Sequence, residues 1–211
     1  AQEFASYNSS FFDPYYNNVS LLLNMNGING STSFVDISNN SLTATANGSA
    51  QVSTAQSKFG GASGYFDGVN SYLTVPDNSG FDLSNADSTI ECWIYATEAK
   101  NHIILGKGTY GVNESWYLGT NISAGNIYFG GAGFSYAASA AVSINTWHHV
   151  AVTHTVSDNK IIIWLDGQKV GETTHSLTNA SANIAIGNAT WNQVQAGLMF
   201  KGYIDDVRIT K

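Results

Sequence analysis

The chain has 211 residues, 43% hydrophobic and 12% aromatic, enough to bury one large core without disulfide staples, and its single cysteine rules out an intrachain disulfide. A net charge of −7 with only 8 Lys and Arg excludes a nucleic-acid backbone or an anionic lipid surface as partner, since both need clustered cations. No run approaches the roughly 18 apolar residues of a membrane-spanning helix, so membrane insertion is not expected.

Residues 1–18 lack a regular period but carry Phe4, Tyr7, Phe11, Phe12, Tyr15 and Tyr16. So many rings argue against a solvated tail and for an arm packed on a neighbouring protein or on its own domain. From Val19 onward, short apolar segments alternate with Gly, Asn and Ser turns at the spacing of a β-sandwich. Predicted strands are 19–25, 50–54, 64–66, 72–75, 89–96, 102–107, 116–120, 126–129, 148–156, 160–166, 168–174, 183–186 and 202–210. The polar stretches 27–48 and 188–197 read as long connections. Within Ser88–Ala96, Cys92 reads as a buried, inert thiol.

Residues 145–171, NTWHHVAVTHTVSDNKIIIWLDGQKVG, read as one long hairpin. His148, Val150, Val152 and His154 share one face of its first arm, with His149, Ala151 and Thr153 on the other. Ser157–Asn159 reverses the chain, 161–165 forms the second arm, and Asp166-Gly167 makes a tight turn. The core is expected to contain Leu21, Leu23, Ile94, Val150, Val152, Ile162, Trp164 and Ile209, with the first and last strands side by side.

This hairpin, together with VSLLLNMNGINGST, KFGGASGYFDGVNSYLTVP, STIECWIYA and FKGYIDDVRITK in this order, resembles laminin-G-like domains of the concanavalin A-like lectin/glucanase superfamily. The resemblance covers 19–211 and implies an all-β jelly roll of two antiparallel sheets, with 1–18 as a separate arm. It is closest to modules of bacteriophage structural proteins and of bacterial surface proteins. That implies a non-catalytic virion component (capsid decoration, tail or fibre) exposing a lectin-like domain to host surfaces, in an oligomer or larger assembly. The alternative is a secreted bacterial carbohydrate-binding or adhesion module; both place the protein on a virion surface or outside a cell.

The superfamily includes glycosidases, whose retaining members need two carboxyl groups about 5–5.5 Å apart. Here Glu91 is followed on its face by Trp93 and Tyr95, and the adjacent Asp205 and Asp206 diverge on a strand. His148 and His154 are six residues apart, roughly 20 Å, too far to share a zinc. No catalytic set emerges. Sugar binding needs exposed rings with amide neighbours, which points to Trp191-Asn192-Gln193 and to Tyr110 with Trp116. In the last strand, Asp205 would share a mainly apolar face with Val207 and Ile209, while Asp206 could pair with Arg208. An acid so placed must be hydrogen-bonded, paired or metal-bound. The resemblance implies a structural calcium near the first and last strands, with Asp205, Asn26 and Asp67 as ligands.

Overall fold

The computed structural model describes residues 13–109, 113–188 and 197–211. Sixteen strands are formed among them: β1 (Val19–Leu23), β2 (Ser33–Val35), β3 (Thr43–Asn47), β4 (Gln51–Ser53), β5 (Ser63–Asp67), β6 (Tyr72–Val75), β7 (Ser88–Ala96), β8 (Asn101–Thr109), β9 (Asn113–Asn121), β10 (Asn126–Gly131), β11 (Phe134–Ser139), β12 (Trp147–Thr155), β13 (Lys160–Leu165), β14 (Gln168–Thr174), β15 (Ile184–Ile186) and β16 (Lys201–Thr210). Every pairing between named strands is antiparallel. The first sheet runs β14-β13-β12-β7-β16-β5-β4, with β1 on the same edge of β16 as β5. The second runs β11-β10-β9-β8-β15-β6-β3-β2. The two sheets form the sandwich expected from the alternation in sequence, the jelly roll that the family resemblance implies.

Period-2 patterning sets which side chains meet between the sheets. In β7, Ile90, Cys92, Ile94 and Ala96 point inward; in β12, His148, Val150, Val152 and His154 do so. Phe66, Phe81, Trp116, Phe129 and Phe200 are fully buried between them, each worth roughly 1.5–3 kcal/mol by area. Leu21, Leu23, Ile94, Val150, Val152 and Ile209 are core residues as expected, and β1 lies against β16. Ile162 and Trp164 are not. Val152 faces Ile163 and His154 faces Ile161 across the hairpin, so the partner strand dictates that Ile161 and Ile163 go inward. Trp164 lies on the outer face and donates its indole N–H to Thr153 Oγ1. At the hairpin's end, Asp166 and Gly167 both have positive φ, the backbone of a tight two-residue turn matched to strand twist.

Three strands went unforeseen. β2 and β3 lie inside the stretch read as a long polar connection, and β11 follows the glycine run at 130–133. β3 and β11 are rich in Ser, Thr and Ala, so their apolar alternation is faint, and β2 is only three residues long. The described end of the arm packs on its own domain: Asp13 pairs with Arg208, Tyr16 donates to the carbonyl of Ile37, and Asn18 to that of Lys211. Tyr15 is exposed rather than buried, and Phe11 and Phe12 lie outside the described residues.

The last strand departs from its sequence reading for one reason. Asp206 takes a left-handed conformation, φ 52°, and the β16–β7 register slips between Asp205 and Arg208. This bulge inverts the alternation halfway along the strand. Tyr203 and Asp205 therefore lie on the outer face, as do Arg208 and Thr210 beyond the bulge, whereas Val207 and Ile209 point inward. Arg208 pairs with Asp13 at 2.6 Å and Glu91 at 3.9 Å rather than with Asp206.

Candidate functional site

Two of the three residues expected to hold calcium, Asp205 and Asp67, accept backbone N–H groups. Asp205 is fully buried: its Oδ2 accepts the N–H groups of Lys58 and Phe59, and its Oδ1 accepts that of Asp206. Burial pushes its carboxyl up to about 6 despite these donors. Asp67 closes its own turn. Burial pushes its carboxyl up, but the Ser71 hydroxyl and the N–H groups of Val69, Asn70 and Ser71 outweigh it and bring the value to about 2. Asp67 faces Lys201, four residues along β16 from Asp205, or roughly 13 Å. Asn26 packs against Gly60, its Oδ1 buried without a partner among the described residues. The three do not converge, and no cluster of three or more acid, His or Cys side chains suited to a metal occurs among the described residues.

Of the expected sugar platforms, Trp191, Asn192, Gln193 and Tyr110 lie outside the described residues. Trp116 is placed where no sugar can reach it: it takes the inward phase of β9, 1% exposed, with its indole N–H on the carbonyl of Phe81. Cys92 is buried, and burial holds its thiol protonated.

One arrangement invites a catalytic reading. Ser143 Oγ lies 2.8 Å from His148 Nε2, and His148 Nδ1 lies 2.8 Å from Asp166 Oδ2. The backbone N–H of Ser143 also donates to Nε2, and Asp166 Oδ1 accepts the N–H of His149. These bonds tie the 141–146 loop and the hairpin turn together. The backbone N–H of Ser143 is thus already given to the imidazole.

The outer face of the first sheet carries a dense set of aromatic rings. Tyr65, Tyr203, Tyr95 and Trp147 form a row across β5, β16, β7 and β12, with centroids 5.3, 5.9 and 5.5 Å apart. Their planes are tilted by 50–76°, so the rings pack on one another rather than forming a flat platform. Trp93 is enclosed by Phe59, His149 and Lys58, whose Nζ sits 3.9 Å from a ring centroid. Beside them lies a groove of about 650 Å³, crossed by the Asp13–Arg208–Glu91 ion pairs, with Glu91 also 3.1 Å from His149 Nε2. On this face the polar groups are largely committed to each other.

The outer face of the second sheet differs. Register places Asn101, Asn121 and Asn126 in one cross-strand row over β8, β9 and β10, continued by Ser139 on β11. The neighbouring row is Ile103, Gly119, Tyr128 and Ala137, and the next contains Tyr117, Gly130 and Ser135. Gly119 and Gly130 are required: a Cβ at Gly119 would overlap the Tyr128 ring, and one at Gly130 the Tyr117 ring, so each tyrosine lies across a glycine. The two rings meet edge to face at 6.0 Å. Tyr128 donates its hydroxyl to Asn101 Oδ1 or the carbonyl of His102, and burial keeps it protonated. Together with Leu198 these residues enclose a groove of about 300 Å³. The carboxamide of Asn126 and the hydroxyl of Ser135 have no hydrogen-bond partner there among the described residues. The sequence signal was the mirrored pair Tyr117-x-Gly119-x-Asn121 and Asn126-x-Tyr128-x-Gly130, legible only once the two strands are paired.

The fold has clear relatives among solved structures. The binding domain of Paraclostridial Mosquitocidal Protein 1 superposes with a TM-score of 0.70 at 15% identity over 93% of this chain. The binding domain of botulinum neurotoxin serotype D gives 0.65 at 16% over 94%. The chain spans about half the length of these toxin domains, 49% of each. Domain 4 of AbnA, an extracellular arabinanase from Geobacillus stearothermophilus solved in complex with arabinotriose, gives 0.64 at 17% identity and is covered over 92% of both chains. No curated protein matches by sequence. Residues 67–211 match the sequence profile of the laminin-G-like branch described as the Concanavalin A-like lectin/glucanases superfamily, and the chain belongs to that family.

Proposed function

We propose that this domain is a non-catalytic carbohydrate-binding module that takes an oligosaccharide in the asparagine–tyrosine groove of the second sheet. The observation that carries the reading is the pair of uncommitted polar groups, Asn126 and Ser135, beside two tyrosine rings held over glycines. A carboxamide both donates and accepts, which suits adjacent sugar hydroxyls, and a ring face suits the C–H side of a sugar. The arabinotriose complex of the arabinanase domain supports the class of ligand, since that domain has this fold over nearly its whole length. The module serves adhesion, as the glycan-facing part of a virion protein or of a secreted bacterial protein, and the 1–18 arm joins it to its assembly.

The test is titration calorimetry of the purified chain against a panel of oligosaccharides that includes arabinotriose. Wild type should bind at least one, and Asn126→Ala should weaken that binding about three- to tenfold, the net worth of one hydrogen bond, with its melting midpoint unchanged. A wild type that binds no glycan, or an Asn126→Ala variant that binds as well, would refute the reading and leave a purely structural domain.

A further inference from the structure

We infer that the groove selects uncharged oligosaccharides and rejects those carrying a carboxylate or sulfate; this rests on the glycan-binding reading above. Its lining is Asn, Tyr, Ser, Ala, Ile and Leu, with no charged side chain among the described residues. All 8 Lys and Arg of the chain fall within the described residues, and every one is engaged elsewhere. Lys100 and Lys201 pair with Glu98, Lys107 with Asp77, Lys160 with Asp158, Lys169 with Glu172, and Arg208 with Asp13. Lys58 lies over Trp93, and Lys211 donates to the carbonyl of Ser79. Lys100 neighbours Asn101 in sequence, yet its ammonium is 2.8 Å from Glu98. An anionic sugar seated against the two tyrosines would lose hydration and gain no cation, within a chain of net charge −7. Carboxamides and hydroxyls pair with sugar hydroxyls at no such cost.

The experiment uses oligosaccharide pairs that differ only in the charge of one group, such as sialyllactose with its methyl ester and a uronic-acid-branched xylotriose with its methyl ester. Each is titrated against wild type, Asn126→Ala and Ser135→Lys, the last placing a cation on an exposed groove position. The neutral member should bind more tightly by roughly tenfold or more, with an affinity indifferent to salt between about 0.05 and 0.5 M. Ser135→Lys should narrow or reverse that preference. An acidic member that binds equally well, in a manner lost in Asn126→Ala, overturns the selectivity while leaving the glycan site standing. Absence of binding by both members of every pair overturns the glycan site and the selectivity together.

Discussion

Replacing Asp205 by asparagine should change how stability depends on pH, in a direction fixed by its surroundings. The carboxylate is fully buried beneath the Lys58–Phe59 backbone, and burial raises it from an ordinary 3.8 to about 6. Between those values the folded protein keeps a proton that the unfolded chain has released, so stability falls as pH rises. Asp205 therefore contributes in full below about pH 3.8, and this contribution is lost as pH passes through about 6. A displacement of that size corresponds to about 3 kcal/mol. The asparagine side chain would retain an oxygen for the Lys58 and Phe59 amides but could not titrate. Urea unfolding followed by tryptophan fluorescence, from pH 4 to pH 7, should show the stability of wild type minus that of Asp205→Asn falling by roughly 2 kcal/mol, most of the full displacement. Taking the difference matters because His154, whose imidazole burial pulls below its usual value, drives stability the opposite way, losing it as pH falls. Asp67, held at about 2, acts only in a lower window, losing its contribution as pH drops from 3.8 through 2. A difference that stays flat across pH 4–7 would refute the argument.

Lys107 is fully buried, with its ammonium on Asp77, Asn179 and the carbonyl of Ala180; Lys107→Met strands the buried Ala180 carbonyl, while the exposed Asp77 and Asn179 turn to water, and should cost about 1–3 kcal/mol in unfolding free energy, measured by urea titration. Trp116→Ala should cost about 3–5 kcal/mol by leaving a cavity, and a variant as stable as wild type would contradict its core placement. Melting in calcium and in EDTA should give the same midpoint, because Asp205 and Asp67 already serve backbone donors; a calcium-dependent rise would show that a site assembles after all.

Much of the architecture was legible because a half-buried strand writes its burial into alternate positions. Residues such as Ile90, Cys92 and Ile94, or Val150 and Val152, announce a core face without any partner being known. The Asp166-Gly167 turn is equally local, set by the backbone freedom of its own residues. What depends on a second strand could not be read this way. Ile163 rather than Ile162 is buried because of its partner Val152, and Trp116 is a core residue because β9 runs in that phase. One left-handed residue, Asp206, exchanges the inner and outer faces of half a strand. Asn101, Asn121 and Asn126 are ordinary polar residues on three separate strands until register sets them side by side, against tyrosines whose seats are glycines on the neighbouring strand. Local patterning is enough to establish strands, turns and a shared core, since each follows from one segment's own residues. Which side chains meet across the sheet, and so where the groove lies, is a property of strand pairing and belongs to no single segment.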